Sequence, residues 1–467
     1  MNKKPNMLFI MTDDHAAHAL SCYGSRINQT PNLDRIADEG MRFDNCFCTN
    51  ALCEPSRAAI LTGTYNHING VTTIGAHIDN RQENVAKVLQ RHGYQTAVIG
   101  KWHLGQGPAH WPTGFDEWNI LQGQGPYFDP EMVRHGEKIQ YTGYTTDLVT
   151  DLSLDWLKER DQDKPFFLMY HHKAPHRPWD PDDQHAQLYE DEDIPVPETF
   201  DDDYSERAQA AAEARMRVAD HLNERDLKQP IPEGLAPAEE KHWKYQRYIK
   251  DYLRCVASVD DNVGRVLDYL DEEGLTENTL VIYTSDQGFF LGDHGWYDKR
   301  FMYEESLRMP FIVRYPKEIK AGSACGEIIN NVDFAATWLD LAGIEAPARF
   351  QGRSFRPLLQ GLTPDAWPQS VYYRYWMHLA HHYVAAHYGV RTQRYKLIYY
   401  YGDGMGQPGA LDERKAPEWE LFDLEKDPRE LHSVYRDPEY ADVVAELRTE
   451  LRRLQNEIGD QAHPDER

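Results

Sequence analysis

The chain has 467 residues, of which 41% are hydrophobic and 12% aromatic, and its formal net charge is −26. This composition excludes global disorder, and the length predicts one large α/β domain with a smaller second domain. Because nucleic acids and anionic membranes bind basic surfaces, the acidic balance argues against both as partners, and an anionic substrate would need a local cluster of cations.

The six cysteines are too few and too scattered for a disulfide framework. Cys46 and Cys48 form a pair, but no second pair at zinc spacing accompanies them. No apolar run approaches the length that spans a membrane. The apolar run at residues 7–11 is too short for a signal peptide, which predicts a cytoplasmic protein, or a periplasmic or secreted one if translation starts upstream. The oligomeric state is not readable.

Five short apolar runs rich in β-branched and aromatic residues predict buried strands. In chain order they are residues 7–12, 96–99, 165–170, 280–284 and 311–315. Helical patterns lie between them, for example at residues 84–90 and 259–270. Strands that alternate with helices predict a mostly parallel sheet sandwiched by helices, an α/β fold.

The pattern changes twice along the chain. Residues 182–244 are polar, acidic and alanine-rich with several prolines, which predicts a surface insertion. Beyond residue 362 the runs at 371–376, 390–392 and 395–401 resemble antiparallel strands, and an amphipathic helix follows. We therefore predict a large domain over residues 1–362 and a smaller α+β domain over 363–467, with a small antiparallel sheet and a terminal helix.

Polar residues follow four of the predicted strands. They are Asp13 and Asp14 after the first strand, Lys101 and His103 after the second, His176 after the third, and Asp286 and Gln287 after the fourth. Ligands of open α/β sheets bind at the carboxyl ends of the strands, so these side chains are predicted to share one rim. A single Asp-Asp pair is more often a turn or a helix cap, but four such motifs at four strand ends favour a ligand site.

These residues divide into oxygen ligands and cations. Carboxylate and amide oxygens suit Ca²⁺ or Mg²⁺ and suit zinc poorly. Carboxylates held together without a cation would repel and raise one another's pKa. Lys101, His103 and His176, with Arg57 and Lys299, supply the positive charge that an oxyanion needs.

Cys53 is predicted to lie at a helix N-terminus. Pro55 is favoured in a first helical turn, and Gly63 marks the expected end of the helix. The free N–H groups and the macrodipole favour an anion at that end. Taken alone, such a cysteine is either a low-pKa thiol or a buried side chain, but the hard oxygen ligands around it suit an oxyanion better than a thiolate.

The chain resembles the type I sulfatases of the alkaline phosphatase superfamily. Their signature, Cys-x-Pro-Ser-Arg followed by Leu-Thr-Gly, is matched by Cys53, Pro55, Ser56, Arg57, Leu61, Thr62 and Gly63. The resemblance runs from about residue 6 to about residue 361 through segments 12–15, 100–103, 174–176, 285–288 and 292–299, and returns at 419–428.

The resemblance implies an alkaline-phosphatase-like fold and a sulfatase whose nucleophile is a formylglycine. Cys53 would be oxidised by a formylglycine-generating enzyme; one hydroxyl of the aldehyde hydrate would attack sulfur, the alcohol would leave, and the second hydroxyl would expel sulfate. A Ca²⁺ ion, or Mg²⁺ in its place, would be held by Asp13, Asp14, residue 53, Asp286 and Gln287. Gln287 is a departure, because many relatives have Asn or His there.

The resemblance also implies a role for each cation. Arg57 and Lys101 would steady the hydrate, and His103 would assist its deprotonation and the release of sulfate. His176 would be the general acid on the leaving oxygen, and Lys299 would contact the sulfate.

Segments 285–292 and 296–305 resemble bacterial carbohydrate sulfatases, nearest to the N-acetylglucosamine-6-sulfatase group of glycosaminoglycan and mucin breakdown. A sulfated saccharide, 6-O-sulfated N-acetylglucosamine or a related glycan, is therefore the expected substrate, with Asp298 and His387 as candidates for holding sugar hydroxyls. Residues 372–387 are rich in histidine and aromatic residues, but only His378 and His382 have helical ligand spacing, so a pocket wall is preferred over a second metal site.

Three alternatives stay open. An arylsulfatase, or a phosphodiester or phosphonate monoester hydrolase of the same superfamily, would use similar ligands on a similar anion. A non-catalytic protein that binds sulfated glycans would keep the fold, although every expected catalytic position is filled.

Overall fold

The computed structural model describes residues 4–466 and centres on a ten-stranded sheet. Its strands lie side by side in the order Ser323–Cys325, Met41–Phe43, Phe311–Arg314, Thr279–Ser285, Asn6–Thr12, Phe166–His171, Gln95–Lys101, Glu117–Leu121, Glu131–Arg134 and Glu137–Gln140. The five strands from Thr279–Ser285 to Glu117–Leu121 are parallel, and the next strand on each side is antiparallel to them. The predicted α/β fold with a mostly parallel sheet is confirmed.

Helices cover both faces of this sheet. On one face Phe334–Leu341 packs through Trp338, whose ring lies 4.8 Å from that of Phe9. On the other face Thr145–Glu159 packs through Thr150, whose hydroxyl lies 2.6 Å from that of Tyr170. Because both faces are covered, the middle strands are apolar throughout and read as continuous hydrophobic runs.

The α-helices follow one another along the chain, and none between residues 4 and 466 combines the length and the hydrophobicity that crossing a bilayer requires. They are Pro31–Asp38, Cys53–Thr62, Asn66–Asn69, Val85–Arg91, Thr145–Glu159, Gln209–Glu213, Val218–His221, Glu224–Leu227, Pro237–Glu272, Glu304–Leu307, Phe334–Leu341, Arg356–Leu359 and Ala441–Ile458.

The five predicted strands are confirmed, each with ends within two residues of those predicted. The helix predicted at 84–90 is Val85–Arg91, and the side chain of Asn84 caps it by accepting from the Lys87 N–H at 2.9 Å. The helix predicted at 259–270 is only the last third of Pro237–Glu272. The earlier turns escape prediction because much of their buried stripe is tyrosine, which reads as polar.

The C-terminal part forms a four-stranded antiparallel sheet with the strand order Ser370–Tyr375, His387–Thr392, Tyr395–Tyr400 and Glu418–Asp423. The last strand is not among those predicted. The terminal helix Ala441–Ile458 covers one face of the sheet through Leu447, Leu451 and Ile458. The other face meets the large domain, where the Tyr373 hydroxyl donates to the Arg300 carbonyl at 2.6 Å. The small antiparallel sheet and its terminal helix are therefore present as predicted.

The predicted surface insertion at residues 182–244 differs from the structure in its middle part. Ala210, Ala211 and Met216 are buried there. The Ala208 N–H donates to Glu420 of the C-terminal sheet at 2.7 Å. The alanines are small enough for the segment to wedge between the two sheets, so its alanine-rich composition reflects close packing and not exposure.

Gly63 ends the helix Cys53–Thr62 in the left-handed region, with φ 61°. A Cβ at this position would lie 2.8 Å from the Phe350 ring. The Gly63 carbonyl also accepts from the Gln351 N–H at 2.7 Å, so the backbone has no room to shift. Both the backbone conformation and the packing therefore require glycine.

We expect Gly63→Ala to lower the free energy of unfolding by about 2–4 kcal/mol, because it combines left-handed strain with overpacking. Gly70→Ala is the matched control: Gly70 ends the next helix at φ 82° with nothing within 4 Å of its Cβ position, so only about 1 kcal/mol should be lost. Urea unfolding of both variants measures the difference, and equal losses would contradict the packing argument.

Candidate active site

Four adjacent parallel strands end at one rim of the central sheet. Their order is Thr279–Ser285, Asn6–Thr12, Phe166–His171 and Gln95–Lys101. Each is followed by one of the polar motifs picked out in the sequence. The structure therefore brings together the predicted residues Asp13, Asp14, Cys53, Arg57, Lys101, His103, His176, Asp286, Gln287 and Lys299.

Cys53 is the first residue of the helix Cys53–Thr62, and the extended Leu52 precedes it. Its Sγ, a carboxylate oxygen of Asp13 and a ring nitrogen of His103 all lie within 4.8 Å of one another. Burial, reinforced by the neighbouring Asp13 carboxylate, raises the pKa of the Cys53 thiol to about 12. This shift is opposite in direction to that of a low-pKa thiol.

The carboxylates Asp13, Asp14 and Asp286 form a buried group near Cys53. Asp14 has φ 67°, and its carbonyl accepts from the Tyr252 hydroxyl at 2.8 Å, which fixes this left-handed turn from the long helix Pro237–Glu272. The Asp14 N–H donates to Asp286 Oδ1 at 3.3 Å. Oxygen or nitrogen atoms of Asp13, Asp14 and His176 lie within 4.8 Å of one another.

Three oxygens of this group fit a hard divalent cation. Asp13 Oδ1, Asp14 Oδ2 and Gln287 Oε1 are buried and have no hydrogen-bond partner among residues 4–466. Leaving such atoms unpaired is unfavourable, and all three belong to hard oxygen ligands of the type that Ca²⁺ and Mg²⁺ bind. The donor set therefore fits the metal that the sequence predicts, without identifying it.

Three buried cations lie against the carboxylates. Arg57 Nε lies 2.9 Å from Asp286 Oδ2, and its Nη2 lies 3.4 Å from Asp13 Oδ2. Lys101 pairs with Asp13, and Lys299 Nζ lies 2.5 Å from Asp14 Oδ1. These contacts give every carboxylate at least one cationic partner.

The balance of burial and charge differs among the three carboxylates. Burial raises the pKa of Asp14 well above its usual range, although Lys299 opposes the rise. Burial, reinforced by Asp13, raises the pKa of Asp286 to about 6. Burial also acts on Asp13, but Lys101, His176 and Arg57 outweigh it and hold the Asp13 pKa well below its usual range. Asp13 is thus the carboxylate most firmly kept ionised.

Two histidines complete the rim. His176 Nδ1 donates to the Arg177 carbonyl at 2.8 Å, and its Nε2 lies 3.7 Å from Asp14 Oδ2. His103 has φ 50°. Burial, followed by the charge of Lys101, lowers the pKa of both rings well below the usual value. Because Nδ1 of His176 is bonded to main chain, Nε2 is the ring nitrogen that faces the Asp14 carboxylate.

Asp298 lies beside Lys299 at the end of the small hairpin Phe290–Leu291 and Tyr297–Asp298. Its φ is 80°, and its Oδ1 accepts from Arg300 Nε at 3.0 Å. Its Oδ2 lies 3.2 Å from Nε2 of His382, which comes from the C-terminal domain. Arg300 and His382 were not predicted as site residues, because only the left-handed turns of the folded chain bring them to Asp298.

The expectation that His387 holds a sugar hydroxyl does not match its surroundings. The side chain is fully buried. Its Nδ1 donates to the Ala385 carbonyl at 2.8 Å, and its Nε2 accepts from the Met302 N–H at 3.1 Å. With both nitrogens bonded to main chain, the ring supports the segment that carries Asp298 and has no atom left for a ligand.

His378 and His382, the pair with helical ligand spacing, do not lie on a helix. They lie in a loop, so their sequence spacing does not place them on one face. His378 Nδ1 accepts from the Ala386 N–H at 3.0 Å, and its Nε2 donates to the Glu413 carbonyl at 2.7 Å. The stretch forms part of a wall, and His382 is its member closest to Asp298.

Comparison with known proteins places the chain in a family. A model of the family described as Sulfatase matches residues 5–344, and one described as N-sulphoglucosamine sulphohydrolase, C-terminal, matches residues 292–457. The chain is 45% identical to the N-acetylglucosamine-6-O-sulfatase of Bacteroides thetaiotaomicron, across 100% of this chain and 88% of the relative. It is 28% identical to an arylsulfatase of Clostridium perfringens, across 95% and 93% of the two chains.

A solved structure agrees with this placement. The structure of BT4656 in complex with its substrate D-glucosamine-2-N,6-O-disulfate matches with a TM-score of 0.93 and 44% identity, covering 100% of both chains. The Sulfatase model also spans the four strand ends and the helix that begins at Cys53. This chain therefore belongs to the sulfatase family of the alkaline phosphatase superfamily, and it is a sulfuric ester hydrolase.

Proposed function

We propose that this enzyme hydrolyses the 6-O-sulfate ester of an N-acetylglucosamine saccharide, with a formylglycine made from Cys53 as the nucleophile. The observation that carries the proposal is the position of Cys53. It is buried at a helix N-terminus, within 4.8 Å of a carboxylate oxygen of Asp13 and a ring nitrogen of His103. The choice of sugar is supported by the 45% identity to a relative named for this activity.

The thiol of Cys53 is itself a poor nucleophile, because burial keeps it protonated. A formylglycine at this position would supply, as its hydrate, one hydroxyl that attacks sulfur while the sugar oxygen leaves. Deprotonation of the second hydroxyl would then restore the aldehyde C=O bond and expel sulfate. The helix N-terminus and the nearby cations would stabilise negative charge on that residue and on the sulfate. Maturation would require a formylglycine-generating enzyme as a partner.

The proposed metal ligands are Asp13, Asp14, residue 53, Asp286 and Gln287, with Ca²⁺ as the ion. The three unpartnered oxygens of Asp13, Asp14 and Gln287 support this choice, because they are hard donors in a buried site. A bound divalent cation supplies Lewis-acid stabilisation of the sulfate oxygens. Arg57 would hold two of these ligands in position, because it contacts both Asp13 and Asp286.

The remaining residues would handle charge and protons. Lys101 and Arg57 contact ligands on the Cys53 side of the site, and Lys299 contacts Asp14. These positions suit the stabilisation of charge on the transferring sulfate. His176 would protonate the leaving sugar oxygen through Nε2 when the ring carries its second proton, because the Nδ1 proton is committed to the Arg177 carbonyl. His103 would take the proton from the nucleophile.

The sugar would be held next to the sulfate by Asp298. This carboxylate directly precedes Lys299 in the chain and gathers Arg300 and His382. A carboxylate accepts hydrogen bonds from two hydroxyls, and the guanidinium beside it donates further ones. We therefore propose Asp298, with Arg300 and His382, as the sugar contact in place of His387.

Cys53→Ala should lower kcat at least about a thousandfold, because the nucleophile is lost. Cys48→Ala is the matched control, since Cys48 is equally buried, its Sγ lies 4.0 Å from the Ser306 carbonyl, and it is not one of the proposed catalytic or metal-binding residues; its activity should stay within about threefold of the wild type. Mass spectrometry of the peptide carrying residue 53, after co-expression with a formylglycine-generating enzyme, checks maturation. An active enzyme with unmodified Cys53 would sink the proposal.

Chelator-treated protein should gain stability when Ca²⁺ is restored, by about 2.7 kcal/mol at a concentration one hundred times Kd. Asp14→Asn should remove this gain, because the variant loses a charged ligand. Asp38→Asn, on the exposed end of the helix Pro31–Asp38, should keep it. Thermal unfolding with and without Ca²⁺ provides the measurement, and a gain that persists in Asp14→Asn would refute this ligand.

A panel of monosaccharides sulfated at single positions should show preference for 6-O-sulfated N-acetylglucosamine. Asp298→Asn should lower kcat/KM on that sugar at least about a hundredfold, because a site built to bind hydroxyls loses its negative charge and one of its two acceptor oxygens. Turnover of a simple aryl sulfate, which has no sugar hydroxyls, should change less than about threefold.

The same panel separates the alternatives. Faster turnover of aryl phosphate diesters or phosphonates than of any sulfate would favour the phosphodiester or phosphonate hydrolase. Equal losses on sugar and aryl sulfate in Asp298→Asn would assign Asp298 a structural role instead.

A further inference from the structure

A fifth parallel strand also delivers a polar side chain to the rim. Glu117–Leu121 pairs with Gln95–Lys101 in parallel and ends at the same edge of the sheet. The chain then turns through residues 122–125, where Gly123 and Gly125 take φ values of 56° and 66°. The Gly125 N–H donates to the Gln122 carbonyl at 3.1 Å and closes the turn. Gln124 is carried between these two glycines.

The Gln124 amide bridges two residues of the proposed catalytic group. Its Oε1 accepts a hydrogen bond from Lys101 Nζ. Its Nε2 lies 3.4 Å from His103 Nε2. Among residues 4–466, the other partner of the Lys101 ammonium is Asp13. Gln124 therefore connects the two residues, and within the described part of the chain it makes no hydrogen bond to Cys53 or the three carboxylates.

The same loop is anchored to a third member of the group. The Tyr127 hydroxyl donates to the His176 carbonyl at 2.6 Å. Thr145, at the start of the helix Thr145–Glu159, donates through its hydroxyl to the Pro126 carbonyl at 2.8 Å. The loop is thus bonded both to the helix and to the site. These bonds fix the position of the backbone from which the Gln124 side chain extends.

We infer that Gln124 is a positioning residue that holds Lys101 and His103 in place for the reaction at residue 53, a role that rests on the proposed function of that residue. The Lys101 ammonium is fully buried between Asp13 and Gln124. A neutral amide accepts from the ammonium without cancelling its charge, whereas without it the ammonium would turn wholly to Asp13. The Gln124 amide nitrogen, 3.4 Å from His103 Nε2, limits the rotation of that ring beside Asp13 and Cys53.

Two substitutions test this role. Gln124→Met keeps the length of the side chain and removes both hydrogen bonds, so kcat should fall about 10–100-fold while KM stays within about threefold. Gln124→Glu keeps the shape but places a carboxylate on Lys101, so kcat should fall at least as far because the ammonium charge is neutralised. A purely structural role would be satisfied by the isosteric Glu.

Gln122→Met is the matched control. It lies in the same turn, and its side chain makes no hydrogen bond within residues 4–466, so kcat should remain within about twofold of the wild type. The formylglycine content of each variant is measured by mass spectrometry, and kcat is expressed per modified site. Thermal unfolding reports whether each variant is folded.

Wild-type kcat in Gln124→Met, a change confined to KM, or wild-type activity of Gln124→Glu would each overturn the inference. If Gln124→Met does not fold, Gln124→Asn decides, because it keeps the amide but is one methylene too short: a reduced kcat at wild-type stability supports the role, and an unchanged kcat overturns it. The kinetics use an aryl sulfate. A wild type that cleaves it but not 6-O-sulfated N-acetylglucosamine would therefore contradict the proposed substrate and leave this test intact.

Discussion

Buried carboxylates and buried cations compensate one another at the carboxyl ends of adjacent parallel strands, and the rest of the site is arranged around this compensation. Asp13, Asp14 and Asp286 would repel one another in an apolar interior. Arg57, Lys101 and Lys299 reach them from a helix, a strand end and a hairpin respectively. Removing one partner of such a buried pair leaves an uncompensated charge at a cost of about 3–5 kcal/mol. Each of these elements must therefore be placed accurately for the rim to form.

The scaffold around the rim is correspondingly rigid. The helix Pro237–Glu272 lies over the central sheet and fixes the left-handed backbone of Asp14 through the Tyr252 hydroxyl, which also accepts from the Ala16 N–H at 2.9 Å. At the opposite side, Gly63 allows the helix of Cys53 to end against Phe350. Strained residues at a functional site persist only where the surroundings determine them fully. Tyr252 and Phe350, which are not themselves site residues, restrict the backbone at Asp14 and Gly63 in this way.

The C-terminal domain helps to build the site and does more than cover it. Tyr373 and His387 both bond to the main chain of the segment that carries Asp298. His382 extends from the same domain to Asp298 itself. The middle of residues 182–244 also contributes, because the Arg215 carbonyl accepts a hydrogen bond from His382 Nδ1 at 2.9 Å. The surroundings of Asp298 are thus assembled from three separate parts of the chain, whereas the group of carboxylates and cations comes mainly from strand ends.

The sequence by itself determined the buried strands, the helix that begins at Cys53 and the polar motifs after four strands, because each is encoded by local periodicity or by residues next to one another in the chain. It also indicated the family, since the signature from Cys53 to Gly63 is contiguous. Only the tertiary structure decided which strands are neighbours, and hence that Gln124 bridges Lys101 and His103. It also decided that His387 is enclosed while His382 reaches Asp298. The physical reason is that periodicity reports which face of an element is buried, whereas hydrogen-bond partners and left-handed turns depend on contacts between residues far apart in the chain.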